Sequence, residues 1–145
     1  MRMGLVLLVV DYNPADVVLA REALAGSSIP TAISDCKDGE EAIAFLRKEG
    51  RYAEMDAPDL MILDLNLPRR NGLSVLAVMK SDPQLKHIPV VIFSTSKLGK
   101  DILRSYELGA NCYVCKPGNL KEYFSAMKSI HEFWSGTVCL PPQGE

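Results

Sequence analysis

The sequence predicts an α/β domain built on a doubly wound, five-stranded parallel sheet with helices on both faces. Five short runs rich in Val, Ile and Leu alternate with five segments of helical periodicity, and the connections between them are only a few residues long, as parallel strands joined by crossover helices require. Runs such as LVLLVV and LMIL are apolar without polar alternation, the mark of strands covered on both faces. A chain of 145 residues with 48% apolar content can fill one such core.

Each element has its own signal. The opening MRMGLVLLVVD has an arginine before an apolar run, yet the run is short, Asp11 follows at once and no small-x-small cleavage site appears, so 5–10 reads as a buried strand and not a signal peptide. The turn Asn13-Pro14-Ala15-Asp16 leads into a helix in which Val17, Leu19, Ala20, Ala23 and Leu24 recur at helical spacing and Gly26 ends the pattern. Residues 29–34 read as the second strand, and Asp38-Gly39 opens a second helix over 40–50 with Ala42, Ile43, Phe45 and Leu46 inward. The third strand spans 59–64, a third helix 72–80, the fourth strand 89–93, and a fourth helix 98–108 closed by Gly109. A fifth strand over 111–115 and a final helix over 120–134 complete the domain, so residues 1–134 form one unit and 135–145 an extension too short to fold alone.

Composition excludes several functions. A formal net charge of −2, with both signs interspersed, offers no basic face for nucleic acid and no attraction to an anionic membrane. No segment approaches the roughly 18 apolar residues that span a bilayer. Cys112 and Cys115 form a C-x-x-C pair, but alternation along a strand sends them to opposite faces, so they read as buried thiols in a reducing cytoplasm.

Function is legible at the strand ends. In a sheet of this kind ligands bind beyond the carboxyl ends of the strands, where the strand order reverses. The first strand ends at Asp11, the third at Asp64, the fourth at Ser94 and the fifth at Lys116, which delivers four polar side chains to one rim. Two neighbouring carboxylates repel unless a cation lies between them, and Mg²⁺ accepts one or two carboxylates together with phosphate oxygens and water. With a lysine and a hydroxyl beside them, these are the parts needed to form and hold an acyl phosphate on an aspartate.

The segments LVVDYNPAD, LMILDLNLPRRNG, PVVIFSTS and ANCYVCKP, in this order, resemble the receiver domain of two-component response regulators over residues 5–133. The resemblance implies a flavodoxin-like sheet with strand order 2-1-3-4-5 and a phosphoacceptor switch rather than a metabolic enzyme. Carried over by position, Asp64 matches the phosphorylated aspartate, Asn66 the residue whose backbone carbonyl binds Mg²⁺, and Lys116 the phosphate-binding lysine. Ser94 matches the hydroxyl that moves to the phosphoryl group and Tyr113 the aromatic that turns inward with it. Pro117 matches a proline whose bond to the preceding lysine is cis in the family, so a cis Lys116–Pro117 bond is expected. One position departs from the pattern: Asp11 and Tyr12 stand where the family has two acids. A phenol is a poor Mg²⁺ ligand at neutral pH, so weakened Mg²⁺ binding with phosphorylation retained is expected.

Softer matches, NPADVVLAREAL, FSTS, GNLKEYFSAMKSIHEFW and TVCLPP, resemble the single-domain regulators that partner bacterial and cyanobacterial phytochromes. That resemblance implies a sensor histidine kinase partner, a bacteriophytochrome, as the phosphoryl donor, and a homodimer to which Phe133, Trp134, Val138 and Leu140 contribute apolar contact. One rival function remains and a second is set aside. Tyr12 motivates a degenerate receiver that binds or dimerises without phosphorylation. A dehalogenase-type phosphatase would need a second acid two residues after the nucleophile, where Asn66 stands.

Overall fold

Parallel pairing places β1 (Leu5–Val10) between β2 (Thr31–Cys36) and β3 (Leu60–Leu63), and the sheet continues through β4 (Val90–Ser94) to β5 (Cys112–Cys115) in the order β2-β1-β3-β4-β5. The computed structural model describes residues 4–142. Alternation along the strands splits the core in two. Leu8, Val10, Met61, Leu63, Val90 and Ile92 face α2 (Gly39–Leu46) and α3 (Gly72–Ser81), where Phe45, Val75, Leu76 and Met79 meet them. Leu7, Val9, Leu60, Ile62, Val91 and Phe93 face α1 (Pro14–Leu24) and α5 (Leu120–Glu132), meeting Val17, Ala20, Tyr123 and Met127. Apolar residues on both faces of the central strands are what the unbroken apolar runs require.

Asparagine and aspartate set the helix starts. The side chains of Asn13, Asp38, Asn71 and Asn119 accept from the backbone N–H groups of Ala15, Glu41, Ser74 and Glu122 at 2.8–3.0 Å, each a cap worth about 1 kcal/mol. Asn13 with Pro14 at the first helical position starts α1 three residues before the apolar pattern begins at Val17. Strand β2 lies later than the predicted 29–34, since Pro30 has no N–H to give a ladder and pairing with β1 begins at Thr31. Helix α2 stops at Leu46, and Lys48, with φ of 56°, turns the chain into a 3₁₀ turn at Gly50–Tyr52. Helix α5 ends at Glu132 and widens into a π turn over Phe133–Thr137, so Trp134 lies beyond the α-helix.

Helix α4 (Gly99–Glu107) buries only Ser105 and leaves Leu103 and Tyr106 exposed. Cys112 packs on the α1/α5 side while its neighbour Tyr113 packs on the other, consistent with opposite faces for Cys112 and Cys115. Both thiols are half-buried rather than buried because β5 is an edge strand, and all four cysteines are free. Among the described residues no helix is long and apolar enough to cross a membrane.

Gly72 positions the loop after β3. Its N–H donates to the Leu65 carbonyl at 2.9 Å, and a Cβ there would collide with the Asp64 carbonyl oxygen and lie 2.7 Å from the Leu65 Cα. Backbone cannot swing aside as a long side chain can. Gly72→Ala is therefore expected to cost about 1–3 kcal/mol, read as a lower urea midpoint; an unchanged midpoint would contradict this tight approach.

Candidate functional site

The rim at the carboxyl ends of β1, β3, β4 and β5 is acidic, buried and centred on a single ammonium group. Asp11 leaves β1 with its N–H on the Cys36 carbonyl at 3.0 Å, and its Oδ1 accepts from Asn13 N–H at 2.9 Å. Asp64 leaves β3 with its N–H on the Val10 carbonyl at 3.0 Å, and its Oδ1 accepts from Asn66 N–H at 3.2 Å. Each carboxylate thus has one oxygen fixed by the loop that follows it and the other turned to the rim. Both residues are buried.

Lys116 follows β5, with its N–H on the Ser94 carbonyl at 2.8 Å. Its Nζ donates to Asp11 Oδ2 at 2.7 Å, Asp16 Oδ2 at 2.8 Å and Asp64 Oδ2 at 2.9 Å. Burial alone would lower the lysine pKa, but hydrogen bonds from the ammonium to Asp11 and Asp16 outweigh that and raise it. At Asp11 the balance goes the other way: burial lifts its pKa above the usual carboxylate range despite the pull of Lys116. The ionised form of Asp11 is therefore held at some cost.

Ser94 ends β4 and is fully buried, its Oγ accepting from Ser96 N–H at 3.3 Å. The Tyr113 hydroxyl donates to the Ser96 carbonyl at 2.8 Å, which brings the ring against the loop after β4. Asn66 is exposed beside Asp64, and Tyr12, 60% exposed, is not among the groups that meet Lys116. The structure thus gathers Asp11, Asp64, Ser94 and Lys116 at one rim with Tyr113 alongside, and leaves Tyr12 outside.

Two expectations are corrected or extended. The Lys116–Pro117 bond is trans, since the described residues contain no cis peptide bond. Trans is the lower-energy isomer of an X–Pro bond, and with it Lys116 already spans Ser94 and all three carboxylates. Asp16 is the residue that reading the sequence missed: it lies in the first turn of α1 and reaches the same ammonium as the strand-end acids.

The donor chemistry suits a hard divalent cation. Three carboxylates around one ammonium leave a formal charge of −2, and oxygen donors are what Mg²⁺ or Mn²⁺ take. Among the described residues no three acids, histidines or cysteines form a cation cage by themselves, and the Lys116 ammonium occupies the space among the three carboxylates.

Phe133 is 49% exposed, whereas Trp134 packs on the α1/α5 core, and their rings meet edge to face at 5.4 Å. Val138 and Leu140 are half-buried against their own domain.

Comparison with known proteins identifies the family. The family model described as "Response regulator receiver domain" matches residues 7–128. The response regulator Rcp1 of Synechocystis sp. is 44% identical over 136 residues, covering 94% of this chain and 92% of Rcp1. Among solved structures, the phosphorylated cyanobacterial phytochrome response regulator RcpA superposes with a TM-score of 0.93 at 49% identity, covering 96% of this chain and 99% of RcpA. The Mn²⁺-bound form of Rcp1 gives a TM-score of 0.92 at 43% identity, covering 96% of this chain and all of that one. With its sheet order, its rim of strand-end acids and lysine, and these likenesses, the chain belongs to the response regulator receiver domain family.

Proposed function

We propose that the protein accepts a phosphoryl group on Asp64 from a sensor histidine kinase of the bacteriophytochrome type and signals through a changed protein–protein surface. The observation that carries this reading is the approach of Lys116 to Asp64 at 2.9 Å beside a fully buried Ser94. The likeness to RcpA, a phytochrome response regulator, supports the kinase class. In the transfer a carboxylate oxygen of Asp64 attacks phosphorus, the bond from phosphorus to the kinase imidazole nitrogen breaks, and the nitrogen keeps the electron pair. Lys116 and Ser94 then offer N–H and O–H donors to the phosphoryl oxygens. A bound Mg²⁺, held by Asp11, Asp64 and the Asn66 backbone carbonyl, would neutralise charge on the group in transit. The Mn²⁺-bound form of the Rcp1 neighbour supports a divalent cation in this reading.

The outgoing path runs through the loop after β4. Ser94 accepts from Ser96 N–H, Tyr113 donates to the Ser96 carbonyl, and the Ser96 hydroxyl donates to Asp101 in the first turn of α4. Movement of Ser94 toward a phosphoryl group pulls on all three, and α4 carries the exposed Leu103 and Tyr106 to a partner. A homodimer through the exposed Phe133, with the kinase and regulator together in the cytoplasm, completes this reading; four free cysteines suit a reducing compartment.

Tyr12 favours the rival reading, a receiver that acts by binding alone. An autophosphorylated, isotope-labelled phytochrome kinase decides between them, with light scattering on the same samples reporting the dimer. Label is expected to pass to this protein. Labelling by acetyl phosphate but not by the kinase would remove the phytochrome partner, and labelling by neither would favour the binding-only receiver.

A further inference from the structure

The acid absent at Tyr12 has a counterpart one helical turn away. We infer that Asp16 is a positioning residue of this site, holding the Lys116 ammonium from the α1 side and supplying the negative charge that Tyr12 does not. This role presupposes the receiver-type cation site proposed above.

An ammonium has three N–H donors, and Lys116 directs one to each of Asp11, Asp16 and Asp64. Without the Asp16 carboxylate, the ammonium would lean on Asp11 and Asp64 alone, the two acids a cation also needs. The formal charge of the group would fall from −2 to −1. Competition for the same oxygens and a weaker attractive field both oppose cation entry.

Asp16 is held for this task from several sides. Its N–H donates to the Asn13 carbonyl at 3.1 Å, and its own carbonyl accepts from the Tyr123 hydroxyl at 2.9 Å. The Tyr123 ring meets Phe93 edge to face at 5.3 Å, and the Lys116 ammonium lies 6.0 Å from the Phe93 centroid. Helix α1, α5 and the end of β4 therefore fix Asp16 and Lys116 against each other. An acid that served only the α1 dipole would gain a few tenths of a kcal/mol from the helix terminus without reaching across to β5.

Direct Mn²⁺ titration, with free Mn²⁺ counted by electron paramagnetic resonance, tests this on the full chain. Asp16→Asn, which keeps the side-chain shape, is expected to weaken Mn²⁺ binding about tenfold or more. Tyr12→Phe is expected to leave affinity within about twofold of wild type. Tyr12→Asp in the Asp16→Asn background is expected to restore it; unfolding midpoints without metal report whether each variant folds. Wild-type affinity in Asp16→Asn, or a loss that Tyr12→Asp does not recover in a folded protein, would overturn the role of Asp16. Absence of Mn²⁺ binding by wild type would instead overturn the cation site itself.

Discussion

Lys116→Met is expected to destabilise the metal-free protein by about 3–5 kcal/mol at neutral pH, the usual cost of stripping the cation from a buried ion cluster. Methionine fills much of the same space, so the loss comes from charge rather than from a cavity. The Lys116 side chain is 6% exposed, and its ammonium lies at hydrogen-bond distance from three carboxylates. Its raised pKa means that its stabilising contribution is fully present below the ordinary lysine value, near 10.4, and is lost as pH rises through the higher folded value. At pH 7 the whole contribution is therefore at stake.

The pH dependence of the variant identifies the cause. Asp11 already has a raised pKa, so its ionisation opposes folding, and that cost is absent below the ordinary carboxylate value and grows as pH rises through the folded one. Removing the ammonium enlarges the cost. Urea midpoints of wild type and Lys116→Met should thus lie far apart at pH 7 and converge near pH 4. Mg²⁺ should recover part of the loss by supplying the missing positive charge. A gap that stays constant with pH and ignores Mg²⁺ would point to packing and remove the electrostatic account.

The sheet was legible because its strands are short, apolar on both faces and closed by turn residues, so periodicity and punctuation agree at LVLLVV, LMIL and VVIFS. Boundaries slipped where a single residue overrides the pattern. Pro30 moved β2, and Asn13 with Pro14 extended α1 backwards. The final helix carries its apolar period through Phe133 and Trp134, and only the backbone shows that hydrogen bonding widens to a π turn there.

The site divided along similar lines. Asp11, Asp64, Ser94 and Lys116 each follow or end an apolar strand, so a parallel sheet sends them to the same rim whatever the details of packing. Asp16 lies on a helix, where an acid in the first turn already has an ordinary explanation in the helix dipole. Its reach to Lys116 depends on the angle at which α1 leaves Asn13, and no periodicity encodes that angle. A usable signal did exist: with Tyr12 in place of an acid, the next carboxylate after Asp11 is Asp16.

Asp64→Asn should abolish the gain of one phosphoryl mass that wild type shows after incubation with Mg²⁺ and acetyl phosphate. The acetate leaving group departs with its electron pair as a carboxylate oxygen bonds to phosphorus, and an amide oxygen at position 64 is too weak a nucleophile to make that bond. Asp11 and Asp16 are not placed to take over: Asp11 follows β1 and Asp16 lies on α1, whereas Asp64 follows β3, the strand that pairs with the Ser94 strand β4. The variant should nevertheless fold, because asparagine retains an acceptor for the Asn66 N–H and still leaves Asp11 and Asp16 to hold the ammonium. Phosphorylation that persists in folded Asp64→Asn would place the acceptor on another acid of the cluster. A gain absent from wild type as well, in protein that binds Mn²⁺, would show that Tyr12 spares the cation site yet disables the transfer, leaving α4 and Phe133 to act as constitutive binding surfaces.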